Sequence, residues 1–270
     1  MPMKVSHETP RCLLTVSREF NDYSYCLPHL LDIDEEYKNF FYEEKRKGRY
    51  IIMDNSLHEL GEAYDHKRLR YWVKELEPDE FIVPDVWMDM GLTCAQAKHW
   101  KQFEYPENTT LVAVVQGKNE GDAYKCFTIL KDLGYKKIAI SYGATWYNDL
   151  FPHVNPNLGK ALGRLSFVSR LFSSNVVTKY DRIHLLGCAV PQEFGWYRGF
   201  TFIESIDTSN PVMAALEGTM YSESGLVEKP KANMNDHFDM DFDDIEYELV
   251  IHNTTLFREI NGIPKIEHYN

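Results

Sequence analysis

The stretch that decides the fold is Tyr50-Ile51-Ile52-Met53-Asp54, a short apolar run that ends on a carboxylate. Four further apolar runs begin at Phe81, Leu111, Ile138 and Phe202, and they end at Asp85, Gln116-Gly117, Gly143 and Asp207. Segments of helix length separate the runs. Short apolar runs that alternate with helix-length segments are typical of buried parallel strands. The sequence therefore predicts an α/β protein with the (β/α)8 architecture, a TIM barrel.

The length of 270 residues fits one such barrel, which usually has about 250 residues. We therefore expect a single domain over residues 1–270. We predict the first strand at residues 11–17, a later strand at 182–186, and a short edge strand at 227–231 in the eighth unit. The spacing of apolar residues predicts helices at 35–47, 66–76, 92–103, 122–133, 158–172, 211–216 and 245–261.

The net charge of −12 argues against a general DNA-coating protein, because such proteins are usually basic. It is compatible with binding of nucleic acid through one basic face. Three basic groups, around Lys45, Lys67 and Arg164, could hold phosphates. Surface helices carry such charges routinely, so a solvated surface is the commoner meaning of each group.

The five cysteines are scattered, and none of them forms a Cys-x-x-Cys pair. This pattern is typical of the reducing cytosol and offers neither a disulfide framework nor a zinc site. No apolar run approaches the ~18 residues that a membrane helix needs, and residues 1–10 lack the apolar core of a signal peptide. We therefore expect a cytoplasmic protein with no membrane partner.

The ends of the apolar runs are the candidate site, because a βα barrel carries its site at the C-terminal ends of its strands. We expect Asp54, Asp85, Gln116 and Asp207 to meet in one pocket. The pair Asp54 and Asp207 suits chemistry at a sugar anomeric carbon, where one carboxylate attacks and the other handles the proton. Asp207 has an alternative interpretation, since residues 207–211 are also a good helix N-cap sequence.

The other strand-end residues suit recognition of a flat polar ligand. Asp85 can accept two parallel hydrogen bonds from the N1–H and amino group of guanine, although a metal ligand or a capped loop is an equal alternative. Gln116 can donate to a carbonyl oxygen, and Gly117 lets a ligand approach the backbone. A simple turn at the strand end is the alternative. Aromatic side chains that could stack on a base, or belong to the core, are His58, Trp87, Tyr142 and Trp146.

Six segments follow the motif order of a known family. They are Met53–Glu59, Val114–Gly117, Ile140–Gly143, Leu185–Pro191, Ser205–Thr208 and Ile251–Asn253. In that order they resemble the Asp-Ser-Gly-Gly-Phe-Gln, Val-Gln-Gly, Leu-Ala-Val-Gly, Leu-Met-Gly-Val-Gly-x-Pro, Met-Phe-Asp-Cys and Ile-His-Asn segments of the tRNA-guanine transglycosylase superfamily. The chain is most similar to the short phage-type DNA-guanine transglycosylases, which insert 7-deazaguanines into DNA. The resemblance covers about residues 50–260.

The resemblance implies a role for each matched residue. Asp207 is expected as the nucleophile on C1′, and Asp54 as the general acid/base that also contacts the base. Asp85 is expected to bind the N1/N2 edge of guanine, and Gln116 and Gly117 the carbonyl and substituent side. The remaining residues that the resemblance places around the substrate are Asn55, His58, Ile140, Ser141, Leu186 and Gly187.

The departures from the family pattern bear on the substrate. Ser56 and Leu57 stand where the family has two glycines, and residues 218–244 replace the zinc site of the tRNA enzymes. The resemblance thus implies DNA and a free 7-deazaguanine base, of preQ0 or preQ1 type, as partners. It implies a monomer or weak dimer in the cytoplasm, or the host cytoplasm if the protein is phage-encoded. Neither a metal nor another cofactor is expected, because the covalent intermediate conserves the glycosidic bond energy.

Three alternatives are open at this point. The first is a tRNA-guanine transglycosylase that has lost its zinc. The second is a metal-dependent barrel hydrolase with Asp54, Asp85 and His184 as ligands. The third is a catalytically silent module that binds nucleic acid or a nucleobase.

Overall fold

Eight parallel β-strands form one sheet in the computed structural model, which describes residues 2–226, 228, 230–231 and 233–266. The strands of this described part are β1 (Lys4–Ser6), β2 (Ser24–Cys26), β3 (Ile51–Met53), β4 (Glu80–Ile82), β5 (Thr110–Val115), β6 (Lys137–Ser141), β7 (Arg182–Leu186) and β8 (Ile203–Asp207). Their order is β1-β8-β7-β6-β5-β4-β3-β2. From β2 to β8 each strand lies beside the next one along the chain, and β8 lies beside β1. This is the strand order of a (β/α)8 barrel. The predicted fold class is confirmed.

Helices connect these strands. They are α1 (Pro28–Ile33), α2 (Glu35–Arg46), α3 (Leu57–Leu60), α4 (His66–Leu76), α5 (Met90–Trp100), α6 (Glu120–Asp132), α7 (Tyr147–Leu150), α8 (Pro156–Ser173), α9 (Asn210–Leu216), α10 (Met234–His237) and α11 (Tyr247–Asn261). Side-chain caps fix several starts: Asp34 accepts from the N–H of Tyr37 before α2, and Asn119 accepts from the N–H of Asp122 before α6. Every predicted helix is present with ends within three residues. In the described part of the chain, no helix combines the length and apolar character that a membrane crossing requires.

The predicted strand at residues 11–17 is wrong. Short 3₁₀ helices occupy Arg11–Leu13 and Val16–Glu19, and the hydroxyl of Ser17 donates to the carbonyl of Leu14 at 2.7 Å. The apolar side chains of this run join a hydrophobic cluster with residues of α9 and α11 instead of a sheet, and Leu13 is fully buried there. Burial against helices satisfies the same apolar residues that a strand would bury.

The two strands at the start of the chain are β1 and β2, which lie on either side of the 3₁₀ helices. They complete the set of eight without the predicted edge strand at 227–231. Two residues of that stretch, Val227 and Lys229, lie outside the described residues, and the described ones, Glu228, Pro230 and Lys231, are not in a strand.

Two compact units divide the chain. The first unit comprises Met1–Asp22, Thr145–Tyr180 and Leu185–Asn270, and the second comprises Tyr23–Ala144 and Asp181–His184. The expectation of one domain over residues 1–270 stays a prediction.

A buried charge network holds the strand starts of the second unit. Glu80 is fully buried at the start of β4, and its carboxylate accepts from Lys137 at 2.6 Å and from Arg182 and the Tyr50 hydroxyl at 2.8 Å each. These partners stand at or just before the starts of β6, β7 and β3. The N-terminal strand ends are therefore crosslinked, and the C-terminal ends carry the candidate site.

Candidate active site

The candidate residues of the second unit meet around one carboxylate. We call this group the Asp85 cluster, and its members are Asp54, Asn55, Asp85 and Gln116. Asn55 donates from Nδ2 to Oδ1 of Asp85 at 2.7 Å, and Gln116 donates from Nε2 to Oδ2 of Asp85 at 2.7 Å. The cluster forms because β3, β4 and β5 are adjacent in the sheet and each residue follows the end of one of them.

Each carboxamide in the Asp85 cluster is held in a defined orientation. The Asn55 amide oxygen accepts from the N–H of Leu57 at 2.9 Å, and its nitrogen also donates to the carbonyl of Val83 at 3.0 Å. The Gln116 amide oxygen accepts from the N–H of Met88 at 2.9 Å. Because the amide oxygens are occupied by backbone donors, the amide nitrogens face Asp85. The Asp85 carboxylate also accepts from its own backbone N–H. Two carboxylate oxygens offer about four acceptor sites, so these three hydrogen bonds leave about one for a ligand.

Burial sets the protonation of Asp85. Its side chain is 4% exposed, and this burial raises the pKa of Asp85 to about 6, against the donated hydrogen bonds of Gln116 and Asn55. The negative charge of Asp54 raises that pKa further. At neutral pH the carboxylate is mostly ionised, which suits a ligand with two parallel N–H donors.

A strained turn carries Asp54. The carboxylate of Asp54 accepts from the N–H of Ser56 at 3.0 Å, and Ser56 has a φ of 60°. This left-handed conformation favours glycine, and it lies where the resembling family has its glycine pair. The buried Ser56 hydroxyl pairs with Nδ1 of His29 at 2.8 Å, which ties the turn to α1. Such strain is typical of positions that the surrounding structure holds for function.

An exposed aromatic ring lies beside the Asp85 cluster. Trp87 is 42% exposed, and a Cβ added to Gly143 would collide with its indole ring. His58 and Tyr142 contact each other at a ring-centroid distance of 6.2 Å. Trp146 differs from these, because it is buried and packs against Phe167 in the first unit. Of the aromatic candidates, Trp146 therefore belongs to the core.

The glycine and strand residues predicted around the substrate have local partners. A Cβ at Gly117 would lie 2.6 Å from the backbone nitrogen of Ala123, so this glycine allows α6 to approach the end of β5. Ile140 is buried at 1% exposure, and the Ser141 hydroxyl accepts from the N–H of Gly143 at 3.1 Å. Their contact with a substrate stays a prediction.

Asp207 lies in the first unit at the end of β8. Its carboxylate is 6% exposed and accepts a hydrogen bond from the backbone N–H of Gly187. Burial raises the pKa of Asp207 to about 7, against this hydrogen bond and the positive charge of Arg164. The capping interpretation is wrong for Asp207, because the residue that precedes α9 as its N-cap is Ser209.

A buried ion pair holds the end of β7, where the N–H of Gly187 binds Asp207. Arg164 and Glu193 are both fully buried and pair at 2.6 Å. Arg164 also donates to the carbonyls of Leu186 and Gly187, at 3.0 and 2.8 Å. The interpretation of Arg164 as a phosphate-binding surface cation is therefore wrong. Its position on the buried side of α8, in line with Ala161, Val168 and Leu171, is the sequence signal that identifies it.

Sequence reasoning missed one polar side chain beside Asp207. Ser6 of β1 pairs in register with Asp207 of β8, so both side chains share one face of the sheet. Ser6 is 1% exposed, and its hydroxyl has no hydrogen-bond partner among the described residues. The next residue, His7, lies on the other face, where it pairs with the carbonyl of Thr208 and packs on Phe257. Strand pairing, which the sequence does not specify, brings Ser6 to Asp207.

Metal ligation has no support in the described part of the chain. No group of three or more His, Cys, Asp or Glu side chains there could hold a metal ion. Asp54, Asp85 and His184, the ligands of the hydrolase alternative, thus do not form such a group.

Comparison with known proteins identifies no relative, since no protein-family model and no curated protein matches this chain.

Proposed function

We propose that this protein is a glycosyltransferase that exchanges guanine in DNA for a free 7-deazaguanine of preQ0 or preQ1 type. The observation that carries the proposal is the buried carboxylate of Asp85, oriented by the carboxamides of Asn55 and Gln116. The resemblance of the strand-end segments to guanine transglycosylases supports it. Under this proposal the protein acts as a monomer or weak dimer in the cytoplasm, or in the host cytoplasm if it is phage-encoded.

Base recognition follows from the donors and acceptors of the Asp85 cluster. Guanine and 7-deazaguanine both present N1–H and an amino group side by side, a pair of donors that matches the two oxygens of a carboxylate such as Asp85. The second N–H of Gln116 Nε2 can donate to O6 of the same base. A base without the amino group would leave one buried acceptor of Asp85 unsatisfied, which costs about 1–3 kcal/mol.

The exchange is a double displacement with balanced proton transfer. In the first half, a carboxylate oxygen of Asp207 attacks C1′, the bond from C1′ to N9 breaks, and guanine leaves with a proton from Asp54. In the second half, the incoming base loses its N9 proton to Asp54 and attacks C1′, which releases Asp207. The hydroxyl of Ser6 supplies a donor for the nucleotide beside Asp207. In duplex DNA the target nucleotide must first leave the base stack.

The test is an exchange assay that separates the substrates. DNA and tRNA that carry tritiated guanine are each incubated with the purified chain and preQ0 or preQ1, and release of the label is measured. We expect release from DNA by the wild type and no release by Asp207→Ala. Asp149→Ala, which changes an exposed carboxylate of α7, is the matched control and should retain full activity.

A second readout asks whether Asp85 and Asp207 serve the same nucleotide. Without an incoming base, the wild type should accumulate a covalent complex with DNA that survives denaturation, and Asp207→Asn should form none. Asp85→Asn should lose the complex through loss of base binding and keep its fold. Release from tRNA alone would assign the zinc-less tRNA enzyme instead, and no release from either nucleic acid would overturn the proposal.

A further inference from the structure

Two cysteines of the second unit lie in contact across adjacent helices. Cys94 of α5 and Cys126 of α6 have their sulfur atoms 3.8 Å apart and share a hydrogen bond. Both are free thiols; Cys94 is half-buried and Cys126 is fully buried. The backbone N–H of Gln116 donates to the sulfur of Cys126 at 3.5 Å. The thiol pair is therefore in direct contact with a member of the Asp85 cluster.

We propose that Cys94 and Cys126 are an oxidative modification site, which a peroxide converts into a reversible disulfide. The geometry carries this inference. A disulfide has a bond length of about 2.05 Å, so the sulfurs must approach by about 1.8 Å, a distance within reach of side-chain rotation. The inference does not depend on the proposed transglycosylase function.

The reactivities of the two thiols differ in the required sense. Cys94 is the thiol with solvent access. The hydrogen bond with Cys126 lowers the pKa of Cys94, against its partial burial. The same hydrogen bond and burial raise the pKa of Cys126. Cys94 is therefore the thiol of the pair that an oxidant reaches first, reacting in its thiolate form, and Cys126 is the resolving thiol.

The chemistry consumes one peroxide for each disulfide. The Cys94 thiolate attacks one oxygen of hydrogen peroxide, and the O–O bond breaks. The other oxygen departs as hydroxide, and Cys94 becomes a sulfenic acid. Hydroxide takes up the proton that Cys94 released and becomes water. The sulfur of Cys126 then attacks the sulfenic sulfur, the S–S bond forms, the S–O bond breaks, and the thiol proton of Cys126 leaves with the oxygen as a second water. Two thiols are oxidised by two electrons, and a dithiol reductant reverses the change.

Oxidation of this pair has a structural consequence at the candidate site. The sulfur of Cys126 must move towards Cys94 when the bond forms, and this movement lengthens its contact with the N–H of Gln116. The side chain of that same Gln116 holds Asp85. We therefore expect the amide resonance of Gln116 to shift on oxidation and to return on reduction.

The experiment counts thiols in the whole chain. The reduced protein is treated with graded hydrogen peroxide, quenched with catalase, denatured, alkylated with N-ethylmaleimide and weighed by mass spectrometry. Of the five cysteines in the chain, two should escape alkylation, with a mass loss of two hydrogens. Peptide mapping should join Cys94 to Cys126, and dithiothreitol should restore all five alkylations.

Two variants make the result specific. Cys94→Ser should keep every remaining thiol available for alkylation after peroxide. Cys12→Ser, which replaces another half-buried cysteine, should still form the bond. Circular dichroism verifies that both variants fold. The peptide mapping of the wild type tests the proposal independently of either variant. The proposal is overturned if Cys94 accumulates as a sulfinic acid while Cys126 stays alkylated, or if the linked peptides contain other cysteines.

Discussion

Arg164 donates a hydrogen bond from Nη2 to the carbonyl oxygen of Gly187 at 2.8 Å, and the N–H of the same Gly187 binds the carboxylate of Asp207. Gly187 has a φ of 59°, a left-handed conformation that turns the chain directly after β7. A buried cation therefore fixes the backbone that solvates a buried carboxylate. Arg164 is a positioning residue, because it acts on Asp207 through Gly187.

Removal of the guanidinium should destabilise the fold strongly. In Arg164→Met, the buried Glu193 loses its partner, and a broken buried pair costs about 3–5 kcal/mol. The double variant Arg164→Met with Glu193→Met should recover most of that loss, since neither charge is then left alone. Urea unfolding measures both, and Arg170→Met, at an exposed position on the same helix, is the control with an expected change below about 0.5 kcal/mol. Equal losses in the single and double variants would contradict the role of the ion pair.

Ionisation of the buried Asp207 carboxylate should lower the free energy of unfolding at neutral pH. The pKa of Asp207 is about 7 in the folded chain against its ordinary value of 3.8, so the native state binds the proton more tightly between those pH values. The contribution of this group to stability therefore falls as pH rises from about 4 to 7, and it stays low above pH 7. Asp207→Asn should be more stable than the wild type by about 1–4 kcal/mol at pH 8 and nearly equal to it at pH 4.

Urea unfolding of both proteins at the two pH values checks this difference. Comparison of the variants isolates Asp207 from other groups, such as His7, whose pKa is lowered to about 3 by burial and whose effect on stability has the opposite sign. Asp149→Asn should show no dependence of this kind. A lower stability of Asp207→Asn at pH 8 would show that the carboxylate serves the fold and not a substrate.

The exchange rate should depend on the ionisation of two carboxylates. Asp207 must be ionised to attack, and Asp85 must be ionised to accept from the base, with pKa values of about 7 and 6. The ionisation of these two groups should make kcat/KM for the DNA rise with pH, more steeply below pH 6 than between pH 6 and 7, until Asp54 loses the proton that it gives to the departing guanine. The measurement is initial release of labelled guanine across this range. A profile that is flat from pH 5 to 8 would contradict these roles.

The strands that the sequence predicts correctly are those with continuous apolar runs. The segments β3 to β8 bury most of their residues, and that burial leaves a pattern in the residue types. The short strands β1 and β2 are also mostly buried, but the polar residues Ser6 and Ser24 stand in them in place of a continuous apolar run. Their positions depend on pairing with β8 and β3. Tertiary pairing of this kind leaves no local signal, whereas the longer apolar run at 11–17 imitates a strand.

The residues of the candidate site also differ in whether a local sequence pattern predicts them. Asp54, Asp85 and Gln116 stand out because a polar residue directly follows an apolar run. The hydrogen bonds of Asn55 and Gln116 to Asp85 require the adjacency of three strands, which follows from the barrel order once the fold class is known. Ser6 could not be found in this way, because its strand was not predicted.

Base affinity should depend on the amide nitrogen of Gln116. In Gln116→Glu, a second carboxylate replaces the donor next to Asp85, and one of the two must then take up a proton. We expect binding of free preQ1 at pH 7.5 to weaken by about 10- to 100-fold, as expected for loss of a hydrogen bond to a charged group. Isothermal titration calorimetry measures the affinity, and Gln102→Glu, at an exposed position, is the charge-matched control. Equal affinities in the two variants would remove Gln116 from the binding site.

The contact between Gly143 and Trp87 separates a role in binding from a role in folding. A Cβ at Gly143 would collide with the indole of Trp87, which is 42% exposed and therefore has room to move. Gly143→Ala should cost only about 1 kcal/mol of stability, whereas Gly117→Ala, which meets the backbone of α6, should cost about 1–3 kcal/mol. Gly199→Ala meets no atom within 4 Å and is the control.

If Trp87 stacks on the bound base, Gly143→Ala should weaken preQ1 binding as much as Trp87→Ala does, by about 3- to 10-fold, because aromatic stacking contributes about 1 kcal/mol. The double variant should bind no more weakly than Trp87→Ala, since the alanine acts only through the displaced ring. Quenching of tryptophan fluorescence by preQ1 gives an independent measurement, and it should be smaller in Trp87→Phe than in the wild type. Additive losses in the double variant would mean that Gly143 itself contacts the ligand, and unchanged affinity in Trp87→Ala would assign the exposed ring no part in base binding.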